Sequence, residues 1–238
     1  MCGCLEIALI AFGMYCTGRM WHVYRERRNL TSVYLFFMFL FFGLFPIGFL
    51  IDVFFWTLGE VTALYILPYG YTVGISIFSG FVVFSLFFTT EVFARGGTKL
   101  SRSTVAIRVV FITFHLSFSI LSSVFMFSNA MDYFTLVFTI FVFSNLILFL
   151  LIFVSAHSLA RWVAEVEYKR PLRYIGNFGL LIGIAHVFSI LDTTVSGRYS
   201  EYAVISWVFY LMAVYVMYLG FIRPHKRVKE LPPSLKTT

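Results

Sequence analysis

Six stretches of this chain contain no Asp, Glu, Lys or Arg: residues 29–51, 61–90, 109–131, 133–160, 174–191 and 202–222. A helix needs roughly 20 mainly apolar residues to cross a hydrocarbon core of about 30 Å, because each residue rises about 1.5 Å. All six are of that order. A seventh stretch, 7–18, is shorter, and reaches spanning length if Glu6 and Arg19 lie at opposite interfaces. The pattern predicts an all-α integral membrane bundle of seven transmembrane helices over residues 1–222, with a basic tail at 223–238. A signal peptide carries its positive charge before the apolar stretch. Here Glu6 precedes segment one, and Arg19, Arg25, Arg27 and Arg28 follow it, so an uncleaved helix is expected.

The charges between the apolar runs set the orientation. With the connection at 19–28 inside, 17 of the 18 lysines and arginines fall on one side, and only Arg198 on the other. Glu6, Asp52, Glu60, Asp132, Asp192 and Glu201 fall on that other side. Positive residues accumulate in cytoplasmic loops. The expectation is a multi-pass protein of the cell membrane, with its N-terminus outside and its C-terminus in the cytoplasm. Aromatic residues that favour membrane interfaces agree: Trp21, Tyr24 and Trp162 at inner boundaries, Trp56, Tyr133, Tyr199 and Tyr202 at outer ones.

Composition supports the membrane reading. The chain is 60% hydrophobic and 12% charged, against about 45–50% and about 25% in soluble domains, and its mean hydropathy is +0.90. It carries 31 phenylalanines among 238 residues. The net charge of +7 does not indicate nucleic acid, because the basic residues are dispersed in short clusters between apolar runs. The partner they fit is the lipid bilayer, whose anionic inner leaflet attracts the basic tail. Cys2, Cys4 and Cys16 are an odd set near one end, and free thiols are the expectation.

Candidate chemistry is sparse. Segment three holds Tyr65, Pro68, Tyr69, Tyr71 and Thr72 in its outer half, either a ligand cleft or an interfacial tyrosine belt with a packing kink. Gly43, Pro46 and Gly48 in segment two, Gly70, Gly74 and Gly80 in segment three, and Gly176, Gly179 and Gly183 in segment six predict close backbone approach. They place segments three and six inside the bundle. His115, His157 and His186 lie within segments. His115, Ser119 and Ser122 share one helical face, as do His186, Ser189 and Thr193. Such histidines serve as hydrogen-bonding glue between helices, as pocket walls, or as haem or metal ligands. No two are spaced i, i+4, and no metal or other cofactor is expected. Asn145, near the middle of segment five, needs an interior partner, and Tyr210, Tyr215 and Tyr218 bring hydroxyls to segment seven. No Asp, Glu, Lys or Arg stands at mid-depth, which disfavours an ion-coupled carrier. The chain has neither a phosphate loop nor a nucleophile elbow, and an enzyme is not expected.

Segment seven has no lysine to hold retinal, and Glu91-Val92-Phe93-Ala94-Arg95 does not have the spacing of the acidic-Arg-Tyr signature of eukaryotic G-protein-coupled receptors. The Phe-rich segments, basic inner connections and closing Gly220-Phe221-Ile222-Arg223-Pro224 resemble the stand-alone seven-transmembrane sensory modules of archaea and bacteria. The resemblance implies a sensor. Since no output domain follows residue 223 here, it also implies a separate cytoplasmic signalling partner. The expected function is a receptor-like membrane module that binds a small apolar or lipidic ligand between segments three, four, six and seven. Tyr69, His115, Asn145, His186 and Tyr210 are the candidate pocket residues. The alternatives are a transporter of an uncharged or lipid substrate and an accessory subunit of a membrane complex.

Overall fold

The computed structural model describes residues 2–58, 60–93, 101–128, 130–164, 166–196 and 200–222. The side chains of 2, 27, 52, 55–58, 60–69, 131, 132, 166–168 and 196 lie outside that description, and so does the whole of the tail at 223–238. The described secondary structure is entirely helical: α1 (Cys2–Arg27), α2 (Leu30–Leu44), α3 (Pro46–Leu58), α4 (Glu60–Phe93), α5 (Arg102–Phe127), α6 (Met131–Trp162), α7 (Val166–Leu191) and α8 (Glu201–Phe221). A π-helical turn, Asp192–Ser196, prolongs α7.

Six stretches are long and apolar enough to cross a membrane: Leu30–Ile51, Gly70–Phe93, Arg102–Phe127, Tyr133–Trp162, Lys169–Val195 and Glu201–Phe221, with mean hydropathy from 1.7 to 2.8. They correspond to segments two to seven, and the protein is a multi-pass membrane helix bundle. Helix α1 is not among them, because Glu6 and Arg19 bracket only twelve uncharged residues.

Local chemistry explains the helix boundaries. Asn29, Ser101 and Ser200 each precede a helix and accept a backbone N–H with the side chain: Ser32 N at 2.8 Å, Thr104 N at 3.1 Å and Tyr202 N at 3.1 Å. Each thereby satisfies a donor that has no carbonyl partner in the first turn. Pro46 has no N–H to donate, so segment two breaks at Phe45 and restarts as α3. Between α1 and α2 only Arg28 and Asn29 intervene, and Arg28 takes the left-handed conformation (φ 47°) that reverses the chain.

Two sequence expectations change here. The basic connections at 19–28 and 161–173 are largely helical, so Arg19, Arg25, Lys169, Arg170 and Arg173 decorate helix ends rather than loops. A helix keeps its backbone paired by running on past the hydrocarbon boundary. Helix α7 even contains Pro171 in its second turn, where the ring removes one i→i−4 bond of the ladder.

Sequential helices pack side by side, and α1 closes against α8. Helix α4 touches α2, α3, α5 and α6 and is the central element. Half of its spanning window is buried (50%), against 22% for α5 at the edge. Glycines make the close approaches. A Cβ on Gly48 would stand 2.3 Å from Gly74 N and 2.4 Å from Gly70 O, and one on Gly13 would stand 2.5 Å from Gly43 Cα. A Cβ on Gly179 would meet Phe149 O of α6 at 2.6 Å. The glycine spacing therefore marks contact faces, as the sequence predicts for segments three and six. Between them lie interlocked rings, including the fully buried Phe42, Phe81, Phe141 and Phe149.

Candidate functional site

Two helix faces meet where α7 ends and α8 begins. On α7 and the π-helical turn that prolongs it, His186, Ser189 and Thr193 border one side; on α8, Ala203, Ser206, Trp207 and Tyr210 do the same. The hydroxyls bridge the helices: Ser189 Oγ lies 2.9 Å from Ser206 Oγ, and both lie 3.0 Å from Ala185 O. Both hydroxyls can donate to the carbonyl, or one can donate to the other. The Tyr210 hydroxyl lies against the same pair. Thr193 donates to Ser189 O at 2.9 Å.

His186 is 1% exposed, and its Nδ1 sits 2.7 Å from Ile182 O. A carbonyl only accepts, so Nδ1 carries the proton and Nε2 presents a bare lone pair. That Nε2 is buried and has no hydrogen-bond partner among the described residues. Nε2 is enclosed by the surrounding side chains.

These faces border a cavity of about 100 Å³. Its remaining wall is largely aromatic, with Phe45 at the α2–α3 break, Phe49 on α3, Tyr71 and Phe78 on α4, and Phe138 and Phe141 on α6. The rings brace one another. Trp207 stacks on Phe45 at 5.5 Å between centroids, and Phe49 meets Tyr71 edge-on at 5.1 Å. Asp192, the first residue of the π-helical turn, borders the cavity at its outer end. One of its oxygens accepts from Ser200 N at 2.9 Å and from Ser200 Oγ, which ties the turn to the cap of α8.

Of the residues singled out in the sequence, the structure brings His186 and Tyr210 together on the cavity wall, their rings 6.1 Å apart. Tyr69 lies on α4, with its side chain outside the described residues; Tyr71, two residues on, borders the cavity. His115 and Asn145 are not part of the lining. His115 packs among Phe111, Phe114 and Phe141, and reaches the cavity wall at Phe141, 5.0 Å between centroids. Helix α5 sits behind α6 rather than beside α7, which is why segment four contributes nothing to the lining and segments two and five do. Asn145 lies one turn beyond Phe141 on α6, fully buried. Neither the His115 ring nor the Asn145 amide has a hydrogen-bond partner among the described residues. His157 serves packing: its Nδ1 lies 3.1 Å from Phe153 O, and its ring fills the space a Cβ on Gly176 would need.

Trp207, Ser206 and Asp192 escaped the sequence reading. The spacing of Ala203, Ser206, Trp207 and Tyr210 was the available signal, since it places small, polar and aromatic residues on one face of α8. Among the described residues, no cluster of three His, Cys, Asp or Glu side chains could hold a metal ion, and Cys4 and Cys16 are free thiols. At the opposite end of the bundle, Arg108 of α5 donates to Thr90 Oγ1 at 2.8 Å and Phe87 O at 3.1 Å, and pairs with Glu91 at 3.6 Å. Its guanidinium lies over the rings of Phe87 (4.9 Å) and Tyr34 (5.7 Å), joining α2, α4 and α5. The chain matches no protein-family model, no curated protein and no solved structure.

Proposed function

We propose that this protein is a receptor-like membrane module that binds a small ligand in the cavity between α3, α4, α6, α7 and α8. The observation that carries the reading is a cavity walled by interlocked rings and edged by Asp192 and the Ser189–Ser206 hydroxyls. At about 100 Å³ the cavity suits a small molecule or one end of a larger one, not a whole lipid.

In this reading α1 is a seventh span, the N-terminus is outside, and the cavity faces the outer half of the bilayer. Occupancy shifts the packing of α7 and α8 against α4. The Arg108 cluster, at the inner ends of α2, α4 and α5, is where the shift is read by a separate cytoplasmic partner.

Native mass spectrometry of the gently solubilised protein tests this. A stoichiometric small mass that disappears in Trp207→Ala is the expected result. Co-purifying protein chains with no small mass overturn it in favour of a subunit of a larger assembly.

A further inference from the structure

The cavity has a chemical sign, and its sign limits what it can bind. Among the described residues, the one charged group on its edge is Asp192. The hydroxyls of Ser189, Ser206 and Tyr210 bond among themselves and to Ala185 O, and that of Thr193 goes to Ser189 O. Asp192 is an acceptor and a carboxylate, held in place by Ser200. Among the described residues, no Lys or Arg borders the cavity. The apolar wall adds to the same polarity, because the faces of Trp207, Tyr71 and Phe49 are electron-rich and attract cations. A neutral apolar guest leaves the Asp192 charge unanswered, and an anion is repelled by it.

We infer that the cavity is a site for a small alkylammonium ion, held by the rings of Trp207, Tyr71 and Phe49 and by the Asp192 carboxylate. Size narrows the class. A cavity of roughly 150 Å³ accommodates benzene, so this one has room for about four non-hydrogen atoms. Trimethylammonium has that size, one N–H to give, and methyl groups that polarise against aromatic faces. The inference rests on the ligand-binding reading above and goes beyond it by assigning charge and size.

The test uses the full chain in lipid nanodiscs and isothermal titration with two Y-shaped probes of matched size, trimethylammonium chloride and 2-propanol. The expected result is saturable one-to-one binding of trimethylammonium, at least about tenfold tighter than 2-propanol. Asp192→Asn keeps an oxygen for Ser200 and Trp207→Leu keeps an apolar wall; each should weaken trimethylammonium about tenfold or more and leave 2-propanol unchanged. Circular dichroism and elution volume verify that both variants are folded. Binding of 2-propanol without preference for the cation overturns the inference and leaves the ligand-binding reading standing. Trimethylammonium binding insensitive to both substitutions removes it from this cavity. Failure of both probes overturns the assignment of class, and the mass-spectrometric experiment then decides the broader reading.

Discussion

Asn145 shows how a single buried side chain can be tested. Its amide is fully buried and unpaired among the described residues, and it stands on α6 within a turn of the cavity wall. A buried amide without partners costs about 1–3 kcal/mol, and leucine has nearly its volume. Asn145→Leu should therefore raise stability by about 1 kcal/mol, read as a higher midpoint in thermal unfolding in detergent. A fall of that size would mean the amide is paired through water and belongs to a polar network. Glycines give the opposite kind of test. Gly18 has nothing within 4 Å of a Cβ, so Gly18→Ala should be neutral or stabilising by up to about 1 kcal/mol. Gly179→Ala forces a Cβ to 2.6 Å from Phe149 O and 3.0 Å from Phe153 N, and the α6–α7 contact must open at a cost of about 1–3 kcal/mol. Equal midpoints for these two variants would contradict the helix packing described.

At the scale of elements, the Arg108 cluster and the Asp192–Ser200 tie hold opposite ends of the bundle. Arg108 is 11% and Glu91 3% exposed in their side chains, so this pair is nearly dry. Removing one partner of such a pair costs about 3–5 kcal/mol, because the remaining charge is stranded. Arg108→Ala should lower the unfolding midpoint sharply. Arg108→Lys should fall between, since a lysine keeps the charge but cannot serve Thr90, Phe87 and Glu91 with one planar fork. Parity of lysine and arginine would show that charge alone matters there. At the other end, Ser200→Ala removes the α8 cap and the hydroxyl bond to Asp192, and keeps the backbone N–H bond to it. It should cost about 1 kcal/mol or more and loosen amide hydrogen exchange in the first turn of α8 rather than in α7.

For the whole molecule, orientation is the property most open to a direct experiment. A reporter fused after Thr238 should be active only in the cytoplasm, and activity outside would reverse the topology proposed from the distribution of 17 of the 18 basic residues. The helical class and the six apolar crossings were legible in the chain itself, because in lipid every backbone group must be satisfied within its own helix, and uninterrupted apolar runs report that directly. Contact faces were legible as well: glycines four apart at Gly70 and Gly74 have meaning only where another backbone comes close. The polar stripe of His186, Ser189 and Thr193 followed from the helical period, and all three border the cavity. What the tertiary structure alone decided was which stripes face one another. Sequence spacing places His115 and His186 on equally plausible inner faces, but only the packing order puts α5 behind α6 and turns α8 toward α7. The lone pair on His186 Nε2 is likewise a product of the fold, since it depends on which carbonyl takes the Nδ1 proton. Helix existence is a local matter of backbone satisfaction and apolar length. The site depends on contacts between residues such as Phe45, Tyr71 and Trp207, far apart in the chain, and no local pattern encodes their meeting.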